Sequence, residues 1–313
     1  MISTRFMKEP ILGHLTPVAK LFFFILLVIS CFIIISLAGV LFAIPLFNIN
    51  LFKDLSIIND FDNPSSVSLL KYLQIIQSIG LFIIPAILAG IFFGGNSSGY
   101  LGINKHSVSS VFLATFLIMF VSLPVISWLT SINEMMRLPE TLKGIEQWMK
   151  ETENEASKIT ETFLNVNTTG GLLVNILMIA VIPSLGEELF FRGVLQRLFS
   201  EWFKNIHIAV LITAFVFGAI HFQFYGMLPR IFLGIIFGYL FYWTGSLWVP
   251  VFAHFINNGT AVFISYLMNR GFISTRYEDF GSTNNVFLIT GSVFLTGFLL
   301  FGIYWKEVRV SAR

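Results

Sequence analysis

Charge is scarce in this sequence. Asp, Glu, Lys and Arg together make up 12% of its 313 residues, against about 25% in soluble proteins. A mainly water-exposed surface is thereby excluded. Cysteine is almost absent: Cys31 is the one thiol, and it sits in an apolar run, so no disulfide framework can form. The net charge is only +2, which leaves no basic footprint for nucleic acid, and no nucleic-acid partner is expected. Internal repeats and low-complexity tracts are missing as well. So is a cleavable leader: the first apolar run, Leu21 to Phe47, is far longer than the core of a signal peptide, lacks a small-residue cleavage site, and reads as a retained span.

What is abundant is hydrocarbon. Hydrophobic residues make up 56% of the chain, with 36 Phe, and the mean hydropathy is +0.82. The expected fold class is all-α, a polytopic membrane bundle. A spanning helix needs about 20 mainly apolar residues, and eight candidates lie near 21–45, 74–94, 109–131, 170–192, 206–224, 228–245, 249–268 and 285–305. Arg5, Lys8 and Lys20 precede the first, and Lys306, Arg309 and Arg313 follow the last. Both termini therefore read as cytoplasmic by the positive-inside rule, and an even number of spans agrees. Arg197 and Lys204, after the fourth span, add to the same side. The expectation is a multi-pass protein of a cell inner membrane, with the lipid bilayer as its surroundings. Three regions are expected: 1–167 with three spans, 168–270 with the polar residues discussed below, and 271–313 with the last span and a basic tail.

Two loops differ in character. The stretch 48–67, with Asp54, Asp60, Asp62 and Pro64, reads as a plain connector. The stretch Ile132–Asn167 is the one long polar segment. Pro139 suits a first helical position, and Leu138, Leu142, Ile145 and Met149, with Trp148 beside them, form a stripe expected of an amphipathic helix lying on the membrane surface. It reads equally as a solvated loop or a functional lid.

Against this apolar background a few polar residues stand out. Glu187 and Glu188 lie side by side within the fourth span, where a carboxylate is penalised by roughly 2.5 kcal/mol or more. Glu188 and Arg192 are four apart and share a helix face, so they are expected to pair. Glu187 is rotated by about 100° and faces elsewhere. His221 ends the fifth span. His254 and Asn258, again four apart, share a face of the seventh, with Asn257 pointing about 100° away. Asn175 is a lesser candidate. Gly234 and Gly238 form a G-x-x-x-G that predicts close helix packing. Any one of these could be interhelical glue, worth about 0.6 kcal/mol each. As a set, Glu187, His221, His254 and Asn258 are expected to converge on one wet pocket, because polar groups in a bundle face inward and meet each other.

A carboxylate and an imidazole sharing a water make a general base for hydrolysis. A second His and an Asn amide can stabilise a developing oxyanion. No H-E-x-x-H, G-x-S-G or G-x-G-D occurs, so the other intramembrane protease signatures are missing. E-E-x-x-x-R at Glu187, Glu188 and Arg192, F-x-x-x-H at Phe217 and His221, and H-x-x-x-N at His254 and Asn258 resemble the three motifs of the CPBP family, the CAAX prenyl endopeptidases and bacteriocin-processing or self-immunity proteins. The resemblance covers Leu172 to Met268. It implies an eight-helix intramembrane glutamate protease acting on a membrane-associated protein or peptide; the eukaryotic members cleave after a prenylated cysteine, while nothing in this sequence selects for a lipid. In it Glu187 and His221 would activate water, His254 and Asn258 would form the oxyanion hole, and Glu188 and Arg192 would support the site. No cofactor is expected. Glu and His could also bind Zn²⁺, but Asn is a poor zinc ligand, so zinc is the alternative. The competing classes are a non-catalytic immunity or scaffold protein of the same fold and, with less behind it, a transporter, for which neither inverted repeats nor broken helix pairs are visible.

Overall fold

A computed structural model describes residues 9–48, 57, 60–275 and 279–310; Arg5, Lys8, Asp54 and Arg313 lie outside them. The described residues form helices and connecting turns with no strand. The main helices are α1 (Pro17–Phe47), α2 (Pro64–Gly94), α3 (Ser109–Val121), α4 (Leu123–Met135), α5 (Lys143–Leu164), α6 (Thr169–Phe203), α7 (Ile206–Ala219), α8 (Met227–Thr244), α9 (Trp248–Asn269) and α10 (Val286–Tyr304).

Local chemistry sets the boundaries. Thr16, Asn63, Thr168, Asn205 and Asn285 cap the starts of α1, α2, α6, α7 and α10, each accepting a backbone N–H with its side-chain oxygen, which satisfies a donor left open at a helix start. Pro17 and Pro64 follow their caps, where a missing N–H is harmless. Gly245 ends α8 with φ 63°, a left-handed backbone that glycine adopts without penalty. α3 and α4 are one apolar stretch bent by 43° at Ser122, just before Pro124.

Six helices are long and apolar enough to cross a bilayer, and seven if the bent α3–α4 pair is one span. The chain is an integral membrane protein. The fifth expected span, 206–224, is a shorter apolar helix than expected. α7 has 14 residues, about 21 Å of helix, less than the ~30 Å of a hydrocarbon core. It stops at Ala219, leaving His221 in the following turn. The surface stripe is also adjusted: Pro139 precedes a 3-10 turn, Glu140–Leu142, and α5 proper begins at Lys143. Leu142, Ile145 and Trp148 are exposed on it, as a helix resting on lipid requires.

The two ends of the bundle are fastened differently. At the end carrying both tails, Lys20 pairs with Glu201 at 3.1 Å, Trp248 Nε1 donates to Ile103 O at 2.8 Å and Leu247 N to Gly102 O at 3.1 Å. At the other end lies α5. Its last turn is held by buried Lys71, whose ammonium donates to Phe163 O at 3.0 Å and to Asn175 Oδ1 at 2.8 Å. Asn175 Nδ2 donates to the same carbonyl at 2.7 Å. Between the ends, Phe24, Phe190, Phe191 and Phe217 form an aromatic core that packs α6 against α1, α2 and α7. Between membrane helices such packing acts through van der Waals contact rather than through removal of apolar surface from water.

Candidate active site

The centre is built on α6, which is not a uniform α-helix. Ile176–Val181 and Leu189–Leu195 are π-helical, and the α-helical turn between them, Ile182–Glu188, carries both carboxylates. π segments occur often at functional sites, because they re-aim side chains. Pro183 opens the middle turn. It has no N–H, so Ile179 O loses its α-helical donor. Asn258 Nδ2, from α9, donates to that oxygen at 3.0 Å.

Glu188 and Arg192 are both fully buried, and Arg192 Nη1 donates to Glu188 Oε1 at 2.8 Å. The pairing expected from their spacing is present. The guanidinium lies 4.8 Å from the Phe217 ring centre and 5.3 Å from that of Phe237. Its Nη2 donates to Gly234 O at 2.9 Å, and one turn on Gln196 Nε2 donates to Gly238 O at 3.0 Å. The G-x-x-x-G of α8 thus permits close packing, as expected, and also presents two carbonyls to α6. A Cβ on Gly234 would lie 3.0 Å from Ala214, and one on Gly238 2.9 Å from Gln196 Oε1.

Glu188 has a further role that spacing did not reveal: its Oε1 lies 2.9 Å from His254 Nδ1. A carboxylate only accepts, so Nδ1 carries the proton and donates. His221 is fixed in the same way. Its Nδ1 lies 2.7 Å from Phe217 O, a carbonyl that can only accept, so this nitrogen also donates. In both neutral rings the lone pair is then on Nε2. Both Nε2 atoms face Glu187 Oε2, each at 3.9 Å. Glu187 is 8% exposed, and this oxygen is buried without a hydrogen-bond partner among the described residues.

Three acceptors therefore surround one small space: a carboxylate oxygen and two imidazole lone pairs. Their separations are too long for direct hydrogen bonds and are of the kind a bridging water spans. A molecule that donates two protons fits there. Asn258 and Asn257 are close by but already engaged. Asn257 Nδ2 donates to Asn258 Oδ1 at 3.1 Å, which together with the bond to Ile179 O fixes the Asn258 amide orientation. Of the expected residues, Glu187, His221 and His254 meet, Glu188 and Arg192 sit directly behind them, and Asn258 spends one N–H on the helix backbone.

Sequence reasoning missed Gln196 and Lys71. Gln196 had a readable signal, R-x-x-x-Q in the same register as G-x-x-x-G. Lys71 had none, because it falls before the 74–94 apolar run. Among the described residues no group of three or more His, Cys, Asp or Glu side chains is placed to hold a metal ion.

The site is thus a carboxylate–imidazole centre enclosed in a bundle of helices, most of them long and apolar enough to cross a membrane. Comparison with known proteins places the chain more closely. Residues 169–260 match the family profile described as type II CAAX prenyl endopeptidase, Rce1-like. The matched stretch is the one in which the three motifs lie. Two Bacillus subtilis proteins are similar. One, YpbD, is uncharacterized and is 30% identical over 86 residues, 26% of this chain and 41% of that protein. The other, YdiL, is assigned provisionally as a membrane peptidase and is 27% identical over 146 residues, 47% of this chain and 54% of that protein. The chain thus spans about half the length of the curated relatives it matches. No solved structure matches it.

Proposed function

We propose that the protein is an intramembrane endopeptidase that hydrolyses a peptide bond of a membrane-associated protein or peptide, with water as the nucleophile. The observation that carries this reading is the Glu187 oxygen 3.9 Å from both His221 Nε2 and His254 Nε2. A water in that space gives one proton to Glu187 as its oxygen attacks the scissile carbonyl carbon, and His221 Nε2 orients it through the other. The C–N bond then breaks, and the amine leaves with a proton returned from Glu187. His254, held at Nδ1 by Glu188, becomes a donor at Nε2 once that nitrogen takes up a proton from solvent, giving an imidazolium that the Glu188 carboxylate stabilises. With the second N–H of Asn258, it faces the developing oxyanion. Arg192 offsets the charge of Glu188. The reading needs no metal. The chain is further proposed to lie in a cell inner membrane with both tails in the cytoplasm, which cysteine-accessibility labelling of single-cysteine variants in intact cells would check.

The test is cleavage of quenched CAAX-type peptides, with and without a farnesyl group, by purified protein, comparing wild type with Glu187→Ala and Glu188→Ala in the presence and absence of a chelator. Chelator-resistant cleavage lost in Glu187→Ala is the expected result. Cleavage abolished by chelation and restored by Zn²⁺ would move the mechanism to the metal alternative. Identical proteomes in cells carrying wild type and Glu187→Ala, with a folded protein that cleaves nothing, would sink the endopeptidase reading.

A further inference from the structure

A cavity of about 820 Å³ opens at the α5 end of the bundle, between α4, α5, the 220–226 turn, α9 and the 279–284 segment. It adjoins the centre. Gln223 on its wall is two residues from His221, and Asn257, also on the wall, donates to Asn258 Oδ1 at 3.1 Å. The wall does not suit a lipid chain. Hydroxyl and amide side chains such as Ser127, Thr130, Thr260 and Asn284 dominate it, whereas a prenyl group gains affinity only by burying apolar surface. Among the described lining residues Glu134, Glu153 and Asp279 are acidic and Arg230 is basic; Arg230 donates to Gln223 O, and Glu153 accepts from Tyr225 N. The volume is that of a site for a sizeable ligand.

Building on the endopeptidase activity proposed above, we propose that this cavity is the substrate cleft and that it admits an extended, polar peptide segment bearing Lys or Arg, read by Glu134, Glu153 and Asp279. Selection is then by peptide charge, and any lipid on the substrate stays in the bilayer. With both tails in the cytoplasm, the peptide enters from the opposite face of the membrane.

The experiment uses the full chain in detergent and four quenched peptides of matched sequence, lysine-rich or glutamate-rich, each farnesylated or not. Exposed charge pairs contribute about two- to five-fold each, so three carboxylates give the lysine-rich peptide a kcat/KM advantage of about tenfold to a hundredfold, shrinking in high salt. Glu134→Gln and Asp279→Asn each reduce that advantage by about two- to five-fold, through KM. Equal cleavage of lysine-rich and glutamate-rich peptides overturns the cleft while leaving the endopeptidase standing. So does a strict farnesyl requirement independent of charge. If none of the four peptides is cleaved, fluorescence-anisotropy binding of the same peptides decides the cleft, and the proteome comparison above decides the endopeptidase reading: lysine-selective binding weakened in Asp279→Asn upholds the cleft, and binding without charge selectivity refutes it.

Discussion

Removing the Asn258 amide separates two roles that coincide in one residue. If its main structural task is to satisfy the carbonyl that Pro183 leaves open, then the two positions are coupled. Asn258→Ala strips Ile179 O of a donor 3.0 Å away. Side-chain hydrogen bonds between membrane helices average about 0.6 kcal/mol, and leaving a partly buried acceptor bare adds to that, so the loss is expected at about 1–2 kcal/mol. Pro183→Ala returns an N–H four residues after Ile179, and the carbonyl then has a donor within its own helix. In that background Asn258→Ala loses less by about 1 kcal/mol, or roughly 2 °C in melting temperature for a protein of this size. The assay is a thermal-melting cycle in detergent on wild type, both single variants and the double variant. Strict additivity would refute the reasoning, because independent sites add. The same cycle read by activity reports the other role: a loss of turnover in Asn258→Ala that Pro183→Ala does not restore belongs to the second N–H and to the oxyanion.

Glu188→Gln leaves Arg192 a buried cation without its counter-charge, and a destabilisation of about 3–5 kcal/mol is expected. The paired apolar replacement Glu188→Met with Arg192→Met should melt higher than either single variant, and melting curves in detergent check both. Gly238→Ala pushes a methyl group to 2.9 Å from Gln196 Oε1 and Val210, an overpacking expected to cost about 1–3 kcal/mol; Gln196→Ala in the same chain should recover part of it. Glu146 is held below its ordinary value of 4.5 by the hydrogen bond from Lys150 and then by the backbone N–H of Leu138. Its contribution to anchoring the start of α5 is therefore present above about pH 4.5 and lost as pH falls through the depressed value. Proteolysis of the 136–143 segment should accelerate below that window in wild type and show no such step in Glu146→Gln.

The helical class, the apolar segments and the Glu188–Arg192 pair were all legible in the sequence, because hydrophobic runs and i, i+4 spacing are direct physical signals. The convergence of Glu187, His221 and His254 was legible too, as a consequence of the cost of polar groups in hydrocarbon. What spacing could not give was phase. The two π segments of α6 each place an extra residue in a turn, so an ideal wheel misplaces faces across them. It had no means of showing that His254 would reach Glu188 with one nitrogen and Glu187 with the other. Nor could hydropathy separate α7 from the loop after it: Ile220 and Phe222 continue the apolar run past the end of the helix, which is why the expected span was too long. Asn258 was read by residue type as a donor to substrate, while its partner in the backbone follows from Pro183, a residue on another helix.

The brevity of α7 has a consequence for the bilayer itself. A helix this short ends before a full hydrocarbon crossing, where bare backbone is tolerated only if protein covers it or it lines a cavity. Here the cover comes from elsewhere in the chain: Asn133 donates to Phe224 O at 2.9 Å, and Glu153 accepts from Tyr225 N at 3.0 Å. On this flank the protein presents lipid with a shorter apolar wall than on its others. Acyl chains there must compress or tilt to meet it, at fractions of a kcal/mol per ångström. The stiffness and thickness of the surrounding membrane thus bear directly on the turn that holds His221, and the host lipid becomes a component of the site.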